Sequence, residues 1–407
     1  MPTFTNQINS PRQGCRVRAL DKWRTFGAML SLIALLMTTF GVGTQVALPR
    51  TAQAAGEPLK LVIDVDAGVD DAAGIVWLFS QTQYPVEVLG FTTVAGVTTV
   101  DNVTNNLLTL LDALQQTAIP VVMGAAEPLA QPLSFTGTGL HGPDGLWGVG
   151  FQNPHDLNTD PRIRHDVDVP AFYCEITQAH SNVTLLAEGP LTNLAHALDQ
   201  CPQGIQSFER IIILGGARFG GNRTPVAEFN IWQDPEAASQ VLSAGLPITL
   251  ITYDAFDTFT LTEKDVEKLQ KKGDDSVKLV AGPLQAYLQA QILNGVPPSV
   301  PDVTAYMYTM DPSLGTAEPG LVKVVTEPRL VRGQTVMGFG QLKVPMIADD
   351  AELSNLVYRL FFDPDFGPDQ FAQAIFQIMA REPDNAQVVL DIDEHEMYKS
   401  FMHTMAH

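Results

Sequence analysis

Four aspartates, Asp64, Asp66, Asp70 and Asp71, fall within eight residues at the end of the β-rich run Leu59 to Val65, around the small residues Ala67 and Gly68. Like charges this close need a cation, and carboxylate oxygens suit a hard one such as calcium, which tolerates flexible geometry. Asp66 and Asp71 can approach such an ion from the two sides of a turn that Gly68 permits. Helix capping accounts for one or two of these residues, because Asp70 and Asp71 stand where a helix begins, but not for four. Aspartyl phosphatases also place Asp-x-Asp at a strand end, yet Asp64-Val65-Asp66 lacks the later acidic motif and lysine which that chemistry uses.

A strand has to present these side chains, and the surrounding sequence supplies a parallel sheet. Strands are predicted at Leu59 to Val65, Val86 to Thr93, Val121 to Val122, Val183 to Ala187, Arg210 to Leu214 and Ile248 to Ile251. Helical patterns at Asp71 to Gln81, Asn102 to Gln115, Leu191 to Leu198 and Pro235 to Ala244 alternate with them. This βαβ rhythm gives an α/β fold, a mostly parallel central sheet flanked by helices in one large domain, with ligands at the carboxyl ends of its strands. A charged helix is predicted over Thr262 to Lys272. The loop-rich stretch from Pro128 to Pro170 carries His141-Gly142-Pro143-Asp144-Gly145 and reads either as a site loop or as a surface excursion.

The chain has 407 residues and a formal charge of −21, which opposes phosphate backbones and anionic membranes, so nucleic acid is not an expected partner. Its start has the grammar of an export signal. Arg12, Arg16, Arg18, Lys22 and Arg24 precede an apolar run from Phe26 to Leu48, and Ala52-Gln53-Ala54 offers a cleavage site. Residues 1–54 are thus expected to be removed, leaving a domain over 55–407 that is periplasmic or extracellular and has no stable membrane insertion. A retained anchor is the alternative, since the run is nearly long enough to span a bilayer. Losing six basic residues and one acidic one takes the formal charge from −21 to −26. Of three cysteines the mature chain keeps Cys174 and Cys201, which either pair in an oxidising compartment or serve as small core residues.

Further segments join the aspartate turn: Thr92-Thr93-Val94-Ala95-Gly96, the His141 loop, Glu188-Gly189-Pro190-Leu191-Thr192-Asn193, Gly221-Asn222 through Glu228-Phe229-Asn230, and Asp234-Pro235-Glu236-Ala237-Ala238. In this order they resemble the inosine-uridine preferring nucleoside hydrolase family, from about Leu59 to Thr335 and again over Val388 to Met402. The stretch 338–384 reads as an insertion, and the carboxylates of its Phe362 to Asp369 run do not follow calcium-loop spacing.

The resemblance implies calcium-dependent hydrolysis of the N-glycosidic bond of a ribonucleoside to ribose and free base. It implies that Asp66, Asp71, the backbone carbonyl of Glu188 and a late aspartate, best matched by Asp302, hold the ion. Asp66 would take a proton from the attacking water, while Asp70, Asn222, Glu228 and Asn230 would hold sugar hydroxyls. His141 is a further substrate-side candidate, and with Tyr306 and Tyr308 a candidate proton donor. Family members are often dimers or tetramers. Two positions depart from the pattern, with Pro301 where many members have histidine and Val97 where they have asparagine. Proline cannot donate a proton, so a lapsed, calcium-loaded nucleoside or ribose receptor, or a hydrolase of another ribosyl compound, competes with the first reading. Glu188 replaces a residue that contributes only its carbonyl, and Ala67 replaces a usual proline, a change expected only to loosen the turn.

Overall fold

A computed structural model describes residues 57–133 and 137–406; the predicted leader at 1–54 lies outside them. The chain alternates β1 (Leu59–Val65), α1 (Val69–Ser80), β2 (Val86–Thr93), α2 (Val100–Ala113) and β3 (Val121–Met123). After a long loop come α3 (Val169–Ala179), β4 (Val183–Ala187), α4 (Thr192–Gln200), β5 (Arg210–Leu214), α5 (Phe229–Gln233), α6 (Pro235–Leu242) and β6 (Ile248–Ile251). The later part holds α7 (Asp275–Leu293), α8 (Pro301–Met310), β7 (Gly315–Val324), β8 (Thr335–Phe339), α9 (Asp350–Phe362), α10 (Pro368–Met379), β9 (Ala386–Ile392) and α11 (Glu394–Met405). Helix ends differ from the sequence reading by at most two residues, as fraying predicts. The charged helix runs over Glu263–Lys272, with Thr262 as its cap.

The strands form one sheet in the order β3-β2-β1-β4-β5-β6-β9-β7-β8. Pairing is parallel from β3 to β9 and antiparallel at the β7 and β8 edge. The order reverses between β1 and β4, which opens a crevice at their carboxyl ends where open α/β sheets hold ligands. Adjacent residues of the central strands point to opposite faces. Ile63, Leu186 and Ile212 pack on one side with α1, α2, α7, α8 and α11, and Val62, Leu185 and Ile211 pack on the other with α3, α4 and α6. This two-sided burial is why β1 and β4 carry nearly unbroken apolar runs. Cys174 of α3 and Cys201 at the end of α4 are joined in a disulfide.

The segment from Gly338 opens inside β8 and continues through α9 and α10 before the chain returns to the sheet in β9. It has a small apolar cluster of its own around Val344, Ala348 and Ile378. Among the described residues no helix is long and apolar enough to cross a membrane.

Candidate functional site

The turn between β1 and α1 delivers the aspartates. Asp66 leaves the end of β1, and Asp70 and Asp71 stand in the first turn of α1, whose N-cap is Gly68. Asp71 accepts a hydrogen bond from the Gly68 N–H at 2.8 Å, so the capping role and the cluster share one residue. The positive φ of the turn falls on Ala67, at 43°, and not on Gly68. Gly68 is required by space, since a Cβ there would stand 2.6 Å from the His141 Nδ1. This corrects the expectation for both residues: position 67 is left-handed, a conformation that the ring of proline forbids.

Asp66 is buried against the Thr92 to Gly96 segment and accepts from the Val97 N–H at 2.9 Å. A Cβ on Gly96 would lie 2.0 Å from the Asp66 Oδ2, which explains the glycine in this motif. Val97 thus contributes its backbone to the site. Asp302 enters from the first turn of α8, where Pro301 is the first helical residue and Val300, which makes no side-chain cap, is the N-cap. Asp302 is therefore not a capping residue. Its carboxylate joins those of Asp70 and Asp71 in a group in which one oxygen from each lies within 4.8 Å of the other two. Asp71 interacts with the side chains of both Asp66 and Asp302.

These carboxyls are almost completely buried, from 0 % exposure at Asp71 to 5 % at Asp70 and Asp302. Burial, then the charge of Asp70, pushes Asp71 up to about 7. Burial and the neighbouring aspartates push Asp66 and Asp302 well above the usual carboxylate range. Burial and Asp71 do the same to the Glu188 side chain. Among the described residues no lysine or arginine pairs with any of them, and only His141, 3.6 Å from Asp70, comes near. Asp70 and Asp71 each keep one buried oxygen without a hydrogen-bond partner. Hard oxygen donors, unmatched charge and free lone pairs fit a divalent cation such as calcium.

Glu188, at the end of β4, turns its carbonyl toward Asn230, whose amide donates to it at 3.2 Å and to the Leu214 carbonyl at 3.2 Å. A carbonyl has two lone pairs, so this bond leaves one for a metal. The turn is held by Asn193, which donates to Asp64 at 2.8 Å and accepts from the Ala125 N–H. The same Asp64 oxygen also accepts from Thr92 and Tyr173. Asp64 is therefore a structural anchor joining β1, β2 and the Glu188 turn, and burial pushes it up to about 6.

Glu228 caps α5, accepting from the N–H groups of Gly216, Asn230 and Ile231. Burial pushes it up to about 7 against those hydrogen bonds. Asn222 stands apart from the converging side chains; it is exposed and its Oδ1 accepts from the Phe229 N–H at 2.9 Å. His141 lies in a short helical turn, Thr138–His141, and is buried, not solvated. Its Nδ1 accepts from the Val69 N–H at 3.2 Å. Asp144 organises this loop by accepting from the N–H groups of Leu146, Gly148 and Phe151. Burial lowers the His141 pKa, against the opposing charge of Asp70.

Sequence reasoning missed Tyr287 of α7. Its hydroxyl donates to Asp70 at 3.0 Å, and its ring lies 4.8 Å from that of His141. Nothing in its helical surroundings marks it out. Tyr306 is buried beside Glu188 with its ring over Gly74, and Tyr308 lies beside Gly315 and interacts with Arg210.

The sequence profile described as inosine-uridine preferring nucleoside hydrolase matches residues 61–399. The chain belongs to that family. The match runs through the 338–384 stretch and includes every residue of the site. A pyrimidine-specific ribonucleoside hydrolase RihA of Shewanella oneidensis is 34 % identical over 287 residues, covering 69 % of this chain and 87 % of its own. Uridine nucleosidase 1 of Arabidopsis thaliana is 31 % identical over 290 residues, covering 70 % and 83 %. Among solved structures, the plant nucleoside hydrolase PpNRh1 matches with a TM-score of 0.69 at 25 % identity, over 86 % of this chain and 99 % of that one.

Proposed function

We propose that this nucleoside hydrolase family member is an exported, calcium-dependent enzyme that hydrolyses the N-glycosidic bond of ribonucleosides to ribose and free base. The observation that carries the reading is the meeting of Asp70, Asp71 and Asp302 within 4.8 Å at the carboxyl end of β1, with no lysine or arginine among the described residues to neutralise them. Asp66, Asp71, Asp302 and the Glu188 carbonyl would hold the ion. When bound, calcium supplies positive charge that acidifies the attacking water and fixes vicinal hydroxyls.

The remaining chemistry falls to the chain. Asp66 takes the proton of the water as its oxygen bonds to the anomeric carbon and the carbon–nitrogen bond breaks. Asp70, held by Tyr287, accepts from a ribose hydroxyl, and Glu228 and Asn230 line the sugar side with Asn222 at its edge. The leaving base needs a proton or a hydrogen bond, and Pro301 cannot give one. His141 can: with Nδ1 accepting from Val69, its proton sits on Nε2, and its lowered pKa keeps the ring neutral.

Uridine and cytidine head the panel of substrates, because relatives carry uridine- and pyrimidine-directed names. Pro301 and Val97 favour a second reading, a nucleoside or ribose receptor or a hydrolase of another ribosyl compound. We further propose secretion by cleavage after Ala54, the 338–384 stretch as an insertion, and assembly as a homodimer or homotetramer. The test is release of ribose from a nucleoside panel by residues 55–407, with and without chelator. Chelator-sensitive release supports the hydrolase; binding without release supports the receptor.

A further inference from the structure

The side chain of Glu188 has no place in the function as derived so far, which uses only its carbonyl. It is 1 % exposed, neither carboxylate oxygen has a partner of full hydrogen-bond geometry among the described residues, and the one side-chain donor acting on it is the Tyr306 hydroxyl. Asp66, Asp70 and Asp71 differ from it, each accepting from a backbone N–H or a hydroxyl in full hydrogen-bond geometry. The groups acting on the Glu188 carboxyl are Asp71, Tyr306, Asp70 and Asp66. The Tyr306 hydroxyl is likewise buried and has the Glu188 carboxyl as its side-chain acceptor, so one weak donor is all that offsets the charge of Glu188. Packing does not explain a carboxylate here, since the preceding Leu185, Leu186 and Ala187 are apolar and a buried charge so weakly offset costs several kcal/mol. Glu188 stands beside the trio of Asp70, Asp71 and Asp302, outside their 4.8 Å group.

Resting on the calcium reading above, we propose that the carboxylate of Glu188 belongs to the cation site as an additional anionic group, engaging the ion through one bridging water. The site then presents five buried carboxylates, Asp66, Asp70, Asp71, Glu188 and Asp302, to one ion. A hard cation of higher charge gains more from the fifth than calcium does. Outer groups of this kind alter metal affinity by roughly 10- to 100-fold.

The test is calorimetric titration of the metal-free mature protein with calcium and, separately, with terbium, on wild type, Glu188→Gln, Glu188→Thr and Asp71→Asn. Glutamine keeps the shape and removes the charge; threonine keeps only the carbonyl. Both are expected to weaken calcium about 10- to 100-fold and terbium more, while Asp71→Asn abolishes binding. Calcium affinity equal to wild type in both Glu188 variants, with Asp71→Asn dead, would overturn the inference and leave the cation site standing. A wild type that takes up neither ion would instead overturn the calcium reading.

The melting temperature in chelator gives a second readout, independent of loaded protein. Relief of repulsion makes metal-free Glu188→Gln melt above metal-free wild type. If it melts below, or fails to fold, Glu188 is a structural acid bonded to Tyr306 and the inference is wrong.

Discussion

Two acidic regions of this domain, one partly exposed and one buried, are built in opposite ways. On the flank of the sheet, Arg162 donates through Nε and Nη2 to both oxygens of Asp160 at 2.9 and 2.7 Å and through Nη1 to Asp112 at 2.6 Å. His155 closes that set on Asp112 at 2.9 Å. The Arg162 guanidinium holds Asp160 below its ordinary carboxylate range. At the carboxyl end of β1, Asp66, Asp71, Asp302 and Glu188 have no such partner, and burial with mutual repulsion drives them upward. The flank shows that this fold can match a partly buried carboxylate with arginine. Where it does not, the proposed cation would supply the missing charge.

Exchanging the properties of the two regions would break this contrast. The largest effect is expected from Asp71→Asn or Asp302→Asn, each lowering ribose release at least about 1000-fold, a loss of roughly 4 kcal/mol in transition-state stabilisation. Steady-state assays at saturating calcium check it, and melting in chelator should stay level or rise. Arg162→Met is expected to do the reverse, destabilising the fold by about 1 kcal/mol in denaturant titration while calcium affinity stays unchanged.

A pH series sharpens the comparison. Asp64 near 6 and Asp71 and Glu228 near 7 sit above their unfolded values, so the folded state keeps protons that the unfolded chain has released. Metal-free protein is therefore most stable below about pH 4 with respect to these groups and loses roughly 2 kcal/mol or more as pH rises through 7. Saturating calcium should remove the share due to Asp71 and leave that of Glu228. Asp160 runs the other way, contributing stability above its unfolded pKa that is lost as the solution is acidified. The smallest effect is expected at the turn: Ala67→Gly relieves the left-handed residue and adds about 1 kcal/mol in thermal unfolding, whereas Ala67→Pro lowers both stability and calcium affinity.

Much of this arrangement was legible before any coordinates. The runs at β1, β2, β4, β5 and β6 are apolar enough to give their bounds directly, and Asp66, Asp70 and Asp71 were readable because aspartates have few other reasons to crowd a strand end, whereas Asp302, opening a helix far along the chain, came only from the family resemblance. The antiparallel edge was not. β7 carries Pro319 and two glycines, and it pairs with β9 across the intervening helices of residues 340–379. Tyr287 sits in an ordinary helical run, and only the fold brings it to Asp70. Likewise the burial of His141 and the exchange of roles between Ala67 and Gly68 depend on a contact spanning the 72 residues from Val69 to His141.

The most direct test of the central claim is the calcium content of the metal-free mature wild-type protein after equilibration with micromolar calcium and removal of free ion. One calcium per chain, lost in Asp71→Asn and kept in Arg162→Met, is the predicted result. A wild type that retains no divalent ion while still folded would contradict it, and the buried carboxylates would then have to hold protons in place of a cation.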